Sequence, residues 1–220
     1  MAGPAIGVMA KAPRPGLAKT RLIPALGPEG AAKLARAFLE DSAALARGVA
    51  ETHVVASPDE TCAELAALTG LSALPQGEGD LGARIVVAFA ALFARGHCPV
   101  LLIGADTPTL PRTHLLAALA LLAERPDRAV LGPTGDGGYW TVGLSAPTPA
   151  LFEGIAWSTP RVLADTRRAA ARAGIDIALA PAWDDIDEPA DLAVLARQLA
   201  EDGTAAPATR AALARLGERR

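Results

Sequence analysis

Residues 99–111, PVLLIGADTPTLP, contain the most strand-like run of the chain, followed at once by a carboxylate. The run 99–104 is apolar on both faces, which is typical of a strand buried inside a parallel sheet. Asp106 stands just beyond the end of this strand. Because α/β proteins bind their ligands at the carboxyl ends of such strands, we expect Asp106 to lie at a ligand-binding edge.

Outward from this strand, hydrophobic periodicity predicts strands and helices in alternation. Strands are predicted at 5–10, 52–57, 128–132, 139–144 and 175–180. Helices are predicted at 28–50, 58–68, 81–94 after a cap at Asp80, 111–124, 159–173, 189–199 and 205–220, the last with a frayed, basic end. The alternation indicates an α/β fold, and we expect a single domain over residues 1–220.

Composition favours a small-molecule partner. The 220 residues carry a net charge of −3 with a pI near 5.6, whereas a nucleic-acid groove would need a basic field. The cysteines, Cys62 and Cys98, are too few for a disulfide framework and lack the spacing of a zinc site. The first residues lack a signal-peptide pattern and no run reaches membrane-spanning length, so a cytoplasmic enzyme without membrane contact is expected.

The loop at residues 11–21, KAPRPGLAKTR, concentrates positive charge. It carries Lys11, Arg14, Lys19 and Arg21. Prolines stiffen the loop and Gly16 lets backbone approach an oxygen-rich ligand, so the pattern predicts a phosphate clamp, against the alternative of a solvated basic loop. Pro13 and Ala18 stand where a Walker A loop needs glycine, so binding would rest on side-chain charge.

A GxGxxG pattern at residues 77–82 is a weaker signal. Its loop contains Glu78 and Asp80, which would face a pyrophosphate with like charge, and the preceding LSALPQ is broken by Pro75. A dinucleotide-binding fold is therefore disfavoured.

Two acidic sites are candidates for metal ligation. Asp106 is either a turn-forming residue or a hard oxygen ligand for Mg²⁺ or Mn²⁺, which would neutralise phosphates held by the cationic loop. A second acidic set lies in WDDIDEPADL and consists of Asp184, Asp185, Asp187, Glu188 and Asp191. Asp187 or Glu188 is expected to cap the helix that starts near Pro189, and a second metal ligand is expected at Asp187 or Asp185.

The segment GPTGDGGYWTVGL, residues 132–144, places Asp136 on a glycine-flanked turn before Tyr139 and Trp140. A plain hairpin turn is one interpretation. The other is a platform for a sugar or acceptor, with Asp136 as a carboxylate close to the reacting group.

Taken together and in order, these motifs resemble a known family. They are KAPRPGLAKTRL, QGEGDLGAR, IGADTPTLP, GPTGDGGYWTVGL, FEGIAWSTPRVLADT and DIDEPADL. The set resembles the GT-A-fold proteins called rSAM/selenodomain-associated transferases or arsenosugar biosynthesis glycosyltransferases, from about residue 6 to residue 200. More distantly, it is similar to nucleotidyltransferases such as the molybdenum cofactor cytidylyltransferase and phospholactate guanylyltransferase.

The resemblance implies a three-layer nucleotide-diphospho-sugar transferase fold, a mostly parallel twisted sheet with helices on both faces. It implies that Lys11, Lys19 and Arg21 form a phosphate loop. It also implies that Gln76, Asp80 and Arg84 belong to a segment lining the nucleotide, and that Asp106 and Asp187 are the two metal ligands. The chain departs from the family in two places. Thr107 and Pro108 follow Asp106, so the DxD of many glycosyltransferases is reduced to one Asp, and Gly135 replaces the acidic residue that often precedes Asp136.

The leading hypothesis is metal-dependent transfer of a glycosyl group from a nucleotide sugar to a small acceptor. Lys19 and Arg21 would support the departing diphosphate and Asp136 would act as the base. The alternatives are nucleotidyl transfer from a nucleoside triphosphate to a phosphorylated small molecule, with release of pyrophosphate, and a non-catalytic nucleotide-binding protein.

Overall fold

The strand predicted at 99–104 lies near the middle of a seven-stranded sheet. The structure, a computed structural model, describes residues 3–217. The strands are β1 (Ala5–Lys11), β2 (Glu51–Ser57), β3 (Ser72–Pro75), β4 (Val100–Gly104), β5 (Ala129–Pro133), β6 (Tyr139–Leu144) and β7 (Ile177–Leu179). The helices are α1 (Ile23–Arg47), α2 (Cys62–Thr69), α3 (Leu81–Ala94), α4 (Arg112–Glu124), α5 (Val162–Ala173), α6 (Asp191–Glu201) and α7 (Pro207–Gly217).

The sheet has the order β3-β2-β1-β4-β6-β5-β7. Only β6 runs against the others, pairing antiparallel with both β4 and β5. The chain moves outward from β1 to β2 and β3, then returns to the other side of β1 with β4. The carboxyl ends of β1 and β4 therefore flank the point where strand order reverses, which is where open α/β sheets place their ligands.

Alternate residues of β4 reach opposite layers of the core. Leu101 and Ile103 belong to a buried cluster that includes side chains of α1, α2 and α4. Val100 and Leu102 belong to a second cluster with side chains of α3 and α5. The apolar character of the whole run follows from these two covered faces. The predicted α/β class, a mostly parallel sheet with helices on both faces, is confirmed.

The C-terminal helices pack on the outer side of α1. Leu34 and Phe38 of α1 share a buried cluster with Leu195 and Leu199 of α6. The buried carboxylate of Asp41 in α1 accepts hydrogen bonds from the first backbone N–H groups of α7, at 3.0 and 2.7 Å. A carboxylate at a helix N-terminus is favoured by the helix dipole, so this contact fixes the start of α7. The predicted frayed end reaches into residues 218–220, outside the described residues.

Some element boundaries differ from the sequence prediction. The helix predicted at 28–50 begins at Ile23 and is interrupted at Gly27, where φ is 69°. A short 3₁₀ turn, Asp59–Thr61, precedes α2. The proline-broken segment before the GxGxxG pattern does form a strand, β3, because it lies at the sheet edge and Pro75 is its last residue, where a missing N–H is tolerated. Within residues 3–217, we find no helix with the combined length and apolar character needed to span a membrane.

A substitution in β5 tests the packing of the sheet. A Cβ at Gly132 would lie 2.3 Å from Cε2 of Trp140, whose indole N–H is held by the Pro181 carbonyl at 3.0 Å. We expect Gly132→Ala to lower the free energy of unfolding by about 1–3 kcal/mol through overpacking. Urea unfolding checks this, with Gly203→Ala as control because nothing lies within 4 Å of a Cβ there. Equal stability of the two variants would contradict the packing described.

A histidine pair near the amino end of β2 predicts that the stability of the protein depends on pH. Nε2 of buried His53 lies 3.1 Å from Nε2 of His97. Burial, then His97 and Arg95, lower the pKa of His53 against an opposing effect of Glu51. The unfolded chain therefore takes up this proton first, and stability falls as pH drops below about 6.5, by at most about 1.4 kcal/mol per pH unit. In urea unfolding from pH 8 to 5, His53→Gln is expected to lose stability less steeply than the wild type. Equal slopes of unfolding free energy against pH would refute this role of His53.

Candidate functional site

A cleft of about 550 Å³ opens at the carboxyl ends of β1 and β4. Seven of the residues predicted from the sequence line it, namely Lys11, Lys19, Arg21, Gln76, Arg84, Asp106 and Asp187. The start of β6 adds Tyr139, Trp140 and Thr141 to the wall, because this antiparallel strand begins where its neighbours end. The topology therefore gathers residues from five separate parts of the chain at one edge.

Lys19 lies at the centre of this cleft. Its Nζ is 2.6 Å from Oδ1 of Asp106 and 2.6 Å from Oδ1 of Asp187, and it donates a third bond of 2.6 Å to the Ile186 carbonyl. Its side chain is 5% exposed, against 47% and 37% for the two aspartates. Although burial lowers the pKa of Lys19, Asp106 and Asp187 outweigh that effect and raise it above its ordinary value. The ammonium stays charged, and its single positive charge offsets half of the negative charge of the two carboxylates.

The backbone of the cationic loop turns Lys19 inward. Lys19 adopts left-handed dihedral angles, φ 49° and ψ 42°, immediately before the 3₁₀ turn Thr20–Leu22. This conformation is uncommon for a residue other than glycine, and it persists only where the surroundings fix it. Here the three hydrogen bonds of the ammonium group do so. Arg14, in the same loop, instead pairs with Glu64 of α2 at the surface.

The segment that carries Asp187 is joined to the sheet by backbone hydrogen bonds. The N–H of Ile186 donates to the Asp106 carbonyl at 2.9 Å, and the N–H of Trp183 donates to the Pro133 carbonyl at 3.1 Å. The Asp184 carboxylate accepts from the N–H of Gly135 at 2.7 Å. The segment after β7 is thereby placed beside the ends of β4 and β5.

The predicted helix cap in this segment is wrong. Neither Asp187 nor Glu188 caps α6, which begins at Asp191. The Asp191 carboxylate instead accepts hydrogen bonds from the N–H groups of Asp187 and Glu188, at 2.9 and 2.7 Å. This reversed arrangement leaves the Asp187 side chain free to face Lys19. The acidic run thus divides its roles: Asp191 fixes the backbone and Asp187 faces the cleft.

Asp185 lines the cleft beside Asp187. Burial, and after it the carboxylates of Asp187, Asp136 and Asp106, raise the pKa of Asp185 to about 6. Lys19 acts on the pKa of Asp185 in the opposite direction. Sequence reasoning named Asp185 only as an alternative to Asp187, since spacing alone does not tell which of two neighbouring acids turns inward.

Charge is divided along the carboxyl edge of the sheet. Lys11 is the last residue of β1. Arg84 lies in the first turn of α3, and its Nε donates to the Gly79 carbonyl at 3.1 Å. Asp106 and Asp185 follow β4 and β7 on the other side. Among the described lining residues, no lysine or arginine belongs to the part of the wall built by β6 and the segment after β7. The basic half and the acidic half meet at Lys19.

Of the remaining residues predicted to contact the nucleotide, one lies at the cleft wall and three do not. Gln76 is buried and donates to the Val55 carbonyl at 2.8 Å, so its amide is fixed at the cleft wall. Asp80 caps α3, accepting from the N–H of Ala83 at 2.9 Å, as the sequence predicted, and it does not line the cleft. Arg14 and Gly16 are exposed and also lie outside the lining.

Asp136 lies on an exposed turn next to the cleft. Its Oδ1 accepts from the Thr134 hydroxyl at 2.5 Å and from the N–H of Gly138 at 2.9 Å. A Cβ at Gly137 would lie 2.1 Å from the Pro160 carbonyl oxygen, so the turn is packed against the loop before α5. Asp136 does not itself line the cleft, although Tyr139 does. Burial raises the pKa of Tyr139 to about 12, so the phenol stays protonated.

The predicted metal ligands fit one kind of site. Within residues 3–217, no three histidine, cysteine or acidic side chains converge as a complete metal-binding group. Asp106 and Asp187, joined through one ammonium, would offer a metal two hard oxygen ligands. Mg²⁺ is commonly held by one or two carboxylates together with substrate phosphates, so the pair suits a metal that arrives with a nucleotide.

Comparison with known proteins agrees with this architecture. Residues 39–159 match the model of DUF2064, a family described as an uncharacterized protein conserved in bacteria. A crystal structure from Desulfovibrio desulfuricans G20, of a protein provisionally named a nucleotide-diphospho-sugar transferase, is 31% identical with a TM-score of 0.88; the match covers 98% of this chain and 95% of that one. The three-layer fold of such transferases, expected from the sequence, is thereby confirmed.

More distant structures share the fold alone. A CMP:2-keto-3-deoxy-manno-octonic acid synthetase complexed with CTP is 12% identical with a TM-score of 0.60, covering 91% of this chain and 100% of that one. The glucosyl-3-phosphoglycerate synthase of Mycobacterium tuberculosis, in complex with Mn²⁺, UDP and glucosyl-3-phosphoglycerate, is 13% identical with a TM-score of 0.54, covering 92% and 80%. The fold is thus found in both nucleotidyl and glycosyl transferases.

The buried position of Lys19 predicts a large effect on stability. Lys19→Met leaves the Asp106 and Asp187 carboxylates without their shared cation, and we expect the free energy of unfolding to fall by about 1–3 kcal/mol, less than for a fully buried pair because both carboxylates are partly exposed. Arg14→Met, in the same loop, removes an exposed pair and should cost no more than about 0.5 kcal/mol. Urea unfolding measures both; equal losses would contradict the central role of Lys19.

Proposed function

We propose that this chain, which belongs to the DUF2064 family of proteins conserved in bacteria, is a metal-dependent glycosyltransferase with a nucleotide-diphosphate sugar as donor and a small hydroxyl compound as acceptor. The observation that carries the proposal is the division of charge around Lys19. Lys11 and Arg84 lie on the side that we assign to the diphosphate, and Asp136 and Asp185 lie on the side that we assign to a neutral acceptor.

The donor would bind with its phosphates between the cationic side and Lys19. Lys11 and Arg84 line the cleft there, and Arg21 lines it beside Asp187. Asp106 and Asp187 would hold Mg²⁺ or Mn²⁺ against the diphosphate. When bound, the metal would offset negative charge that develops on the departing diphosphate. Lys19 and Arg21 would stabilise the same charge from the protein side.

In the transfer step, the bond between the sugar anomeric carbon and the diphosphate oxygen breaks, and a bond forms from that carbon to the acceptor hydroxyl oxygen. The electron pair of the broken bond stays with the nucleoside diphosphate. The hydroxyl proton passes to Asp136, our candidate base. Its Oδ1 is engaged by Thr134 and Gly138 within the turn, which leaves Oδ2 for the acceptor.

Nucleotidyl transfer is the second candidate function. The lone Asp106, in place of a DxD pair, favours it. In the form defined above, that reaction uses a phosphorylated acceptor, and such an anion would have to approach Asp136 and Asp185. The part of the described cleft wall that β6 and the segment after β7 build contributes no lysine or arginine of its own, although Arg21 reaches Asp187 at 4.0 Å. Like charges at close range in a partly buried site are costly, so the acidic half favours a neutral hydroxyl acceptor.

A titration of donors with a matched pair of variants tests the proposal. We expect heat on binding of at least one UDP-, GDP- or CDP-sugar in the presence of Mn²⁺. Asp106→Asn should lower transfer by about 100-fold or more, since it removes a metal ligand. Asp127→Asn, on an exposed carboxylate beside Arg125, should leave transfer unchanged. No binding of any nucleotide sugar would rule the glycosyl proposal out.

The two transfer reactions release different products. Glycosyl transfer yields a nucleoside diphosphate and no pyrophosphate, whereas nucleotidyl transfer from a triphosphate yields pyrophosphate. We expect no pyrophosphate across a panel of nucleoside triphosphates with phosphorylated acceptors. Its appearance would replace the first function by the second, and binding without any turnover would identify a nucleotide-binding protein.

A further inference from the structure

We infer that Lys19 takes the place of the divalent cation in the nucleotide-free protein, so that the metal binds tightly only together with a nucleotide diphosphate. The inference rests on the proposed function and concerns the regulation of that same site. It follows from the contacts of one ammonium group and from the chemistry of the two carboxylates that it joins.

The hydrogen-bonding capacity of the ammonium group is fully used. Its three protons are matched by three acceptors at 2.6 Å: Oδ1 of Asp106, Oδ1 of Asp187 and the Ile186 carbonyl. The ring of Phe38 lies below it, with 5.5 Å from Nζ to the ring centroid. A side chain with this many partners and 5% exposure is held in one position.

A metal would need the same oxygens. Mg²⁺ binds oxygen at about 2.0–2.1 Å, so an ion joining these two oxygens would lie within about 5 Å of the ammonium. Both are cations, and a metal without its own anions would meet the repulsion of Lys19 and find the negative charge of the pair already reduced. The carboxylates alone are therefore a poor metal site while Lys19 stays in place.

A nucleotide diphosphate removes this obstacle. Its phosphates give the ammonium new acceptors and give the metal further oxygen ligands at the same time. The aspartates keep part of their surface exposed to the cleft, at 47% and 37%, so a ligand can approach them. Arg21 cannot take the role of Lys19, because its side chain is 63% exposed and lies 4.0 Å from Oδ2 of Asp187.

Metal and nucleotide should therefore bind cooperatively, and each should raise the affinity of the other by the same factor. Removal of the Lys19 charge should raise the affinity for Mn²⁺ alone and weaken the effect of nucleotide on that affinity. Mn²⁺ alone should bind Lys19→Met about 10-fold or more tightly than the wild type, within the usual range of coupling between two sites. The increase in Mn²⁺ affinity on adding nucleotide should shrink in the same variant.

The test is a titration of Mn²⁺, followed by calorimetry and by loss of the free-ion electron paramagnetic resonance signal, with and without UDP, GDP or CDP. The proteins are the wild type, Lys19→Met and Lys33→Met, the last an exposed lysine of α1 as a matched control. Tighter binding of Mn²⁺ alone to Lys19→Met, with Lys33→Met like the wild type, supports the inference. Equal affinity of all three overturns it, and leaves the proposed function standing if the wild type still binds Mn²⁺ with nucleotide. No Mn²⁺ binding under any condition removes the metal site and the proposed function with it.

A second measurement takes its readout from the wild type alone. The sequence contains three lysines, Lys11, Lys19 and Lys33, so ¹⁵N spectra of the side-chain ammonium groups are simple. The Lys19 signal is identified by its absence from Lys19→Arg. In the wild type it should stay unchanged with Mg²⁺ alone and move when Mg²⁺ and the nucleotide diphosphate are both present. A signal that moves as far with Mg²⁺ alone would overturn the inference.

Discussion

The ammonium group of Lys19 is the contact on which the arrangement of the cleft depends. It joins three parts of the chain that are distant in sequence: the loop after β1, the end of β4 at Asp106, and the segment after β7 at Asp187. Backbone hydrogen bonds bring these parts close, and Lys19 is the buried cation that offsets part of the resulting negative charge, with the exposed Arg21 4.0 Å from Asp187. The left-handed backbone at Lys19 is retained because those contacts fix it.

The division of charge on either side of Lys19 gives the cleft a direction. In the proposed reaction, a nucleotide diphosphate would bind on the side of Lys11 and Arg84, and a neutral hydroxyl compound would bind on the side of Asp136 and Asp185. A fold shared by nucleotidyl and glycosyl transferases does not make this distinction, since it supports both reactions. The distribution of cations and carboxylates along the sheet edge is the basis on which we propose glycosyl transfer.

The position of Asp106 could be predicted because it needs only local information. An apolar strand followed by a carboxylate places that carboxylate at the carboxyl edge of a parallel sheet. The roles within WDDIDEPADL could not be predicted, because Asp187 and Asp191 differ only in how the backbone turns between them. A cap by Asp187 or Glu188 was a reasonable expectation, yet Asp191 holds the turn from inside α6. The use of Lys11, Gln76 and Asp187 in binding stays a prediction.

Periodicity and charge are properties of short stretches, so the α/β class, most strand positions, the cationic loop and the two acidic segments could be predicted from the amino-acid sequence. Which of their side chains meet became known from the folded chain. Lys19 turns into the cleft while Arg14 of the same loop pairs with Glu64, and Asp136 stays on an exposed turn while Asp185 is half-buried. Those choices depend on contacts between residues far apart in the chain, which no local pattern encodes.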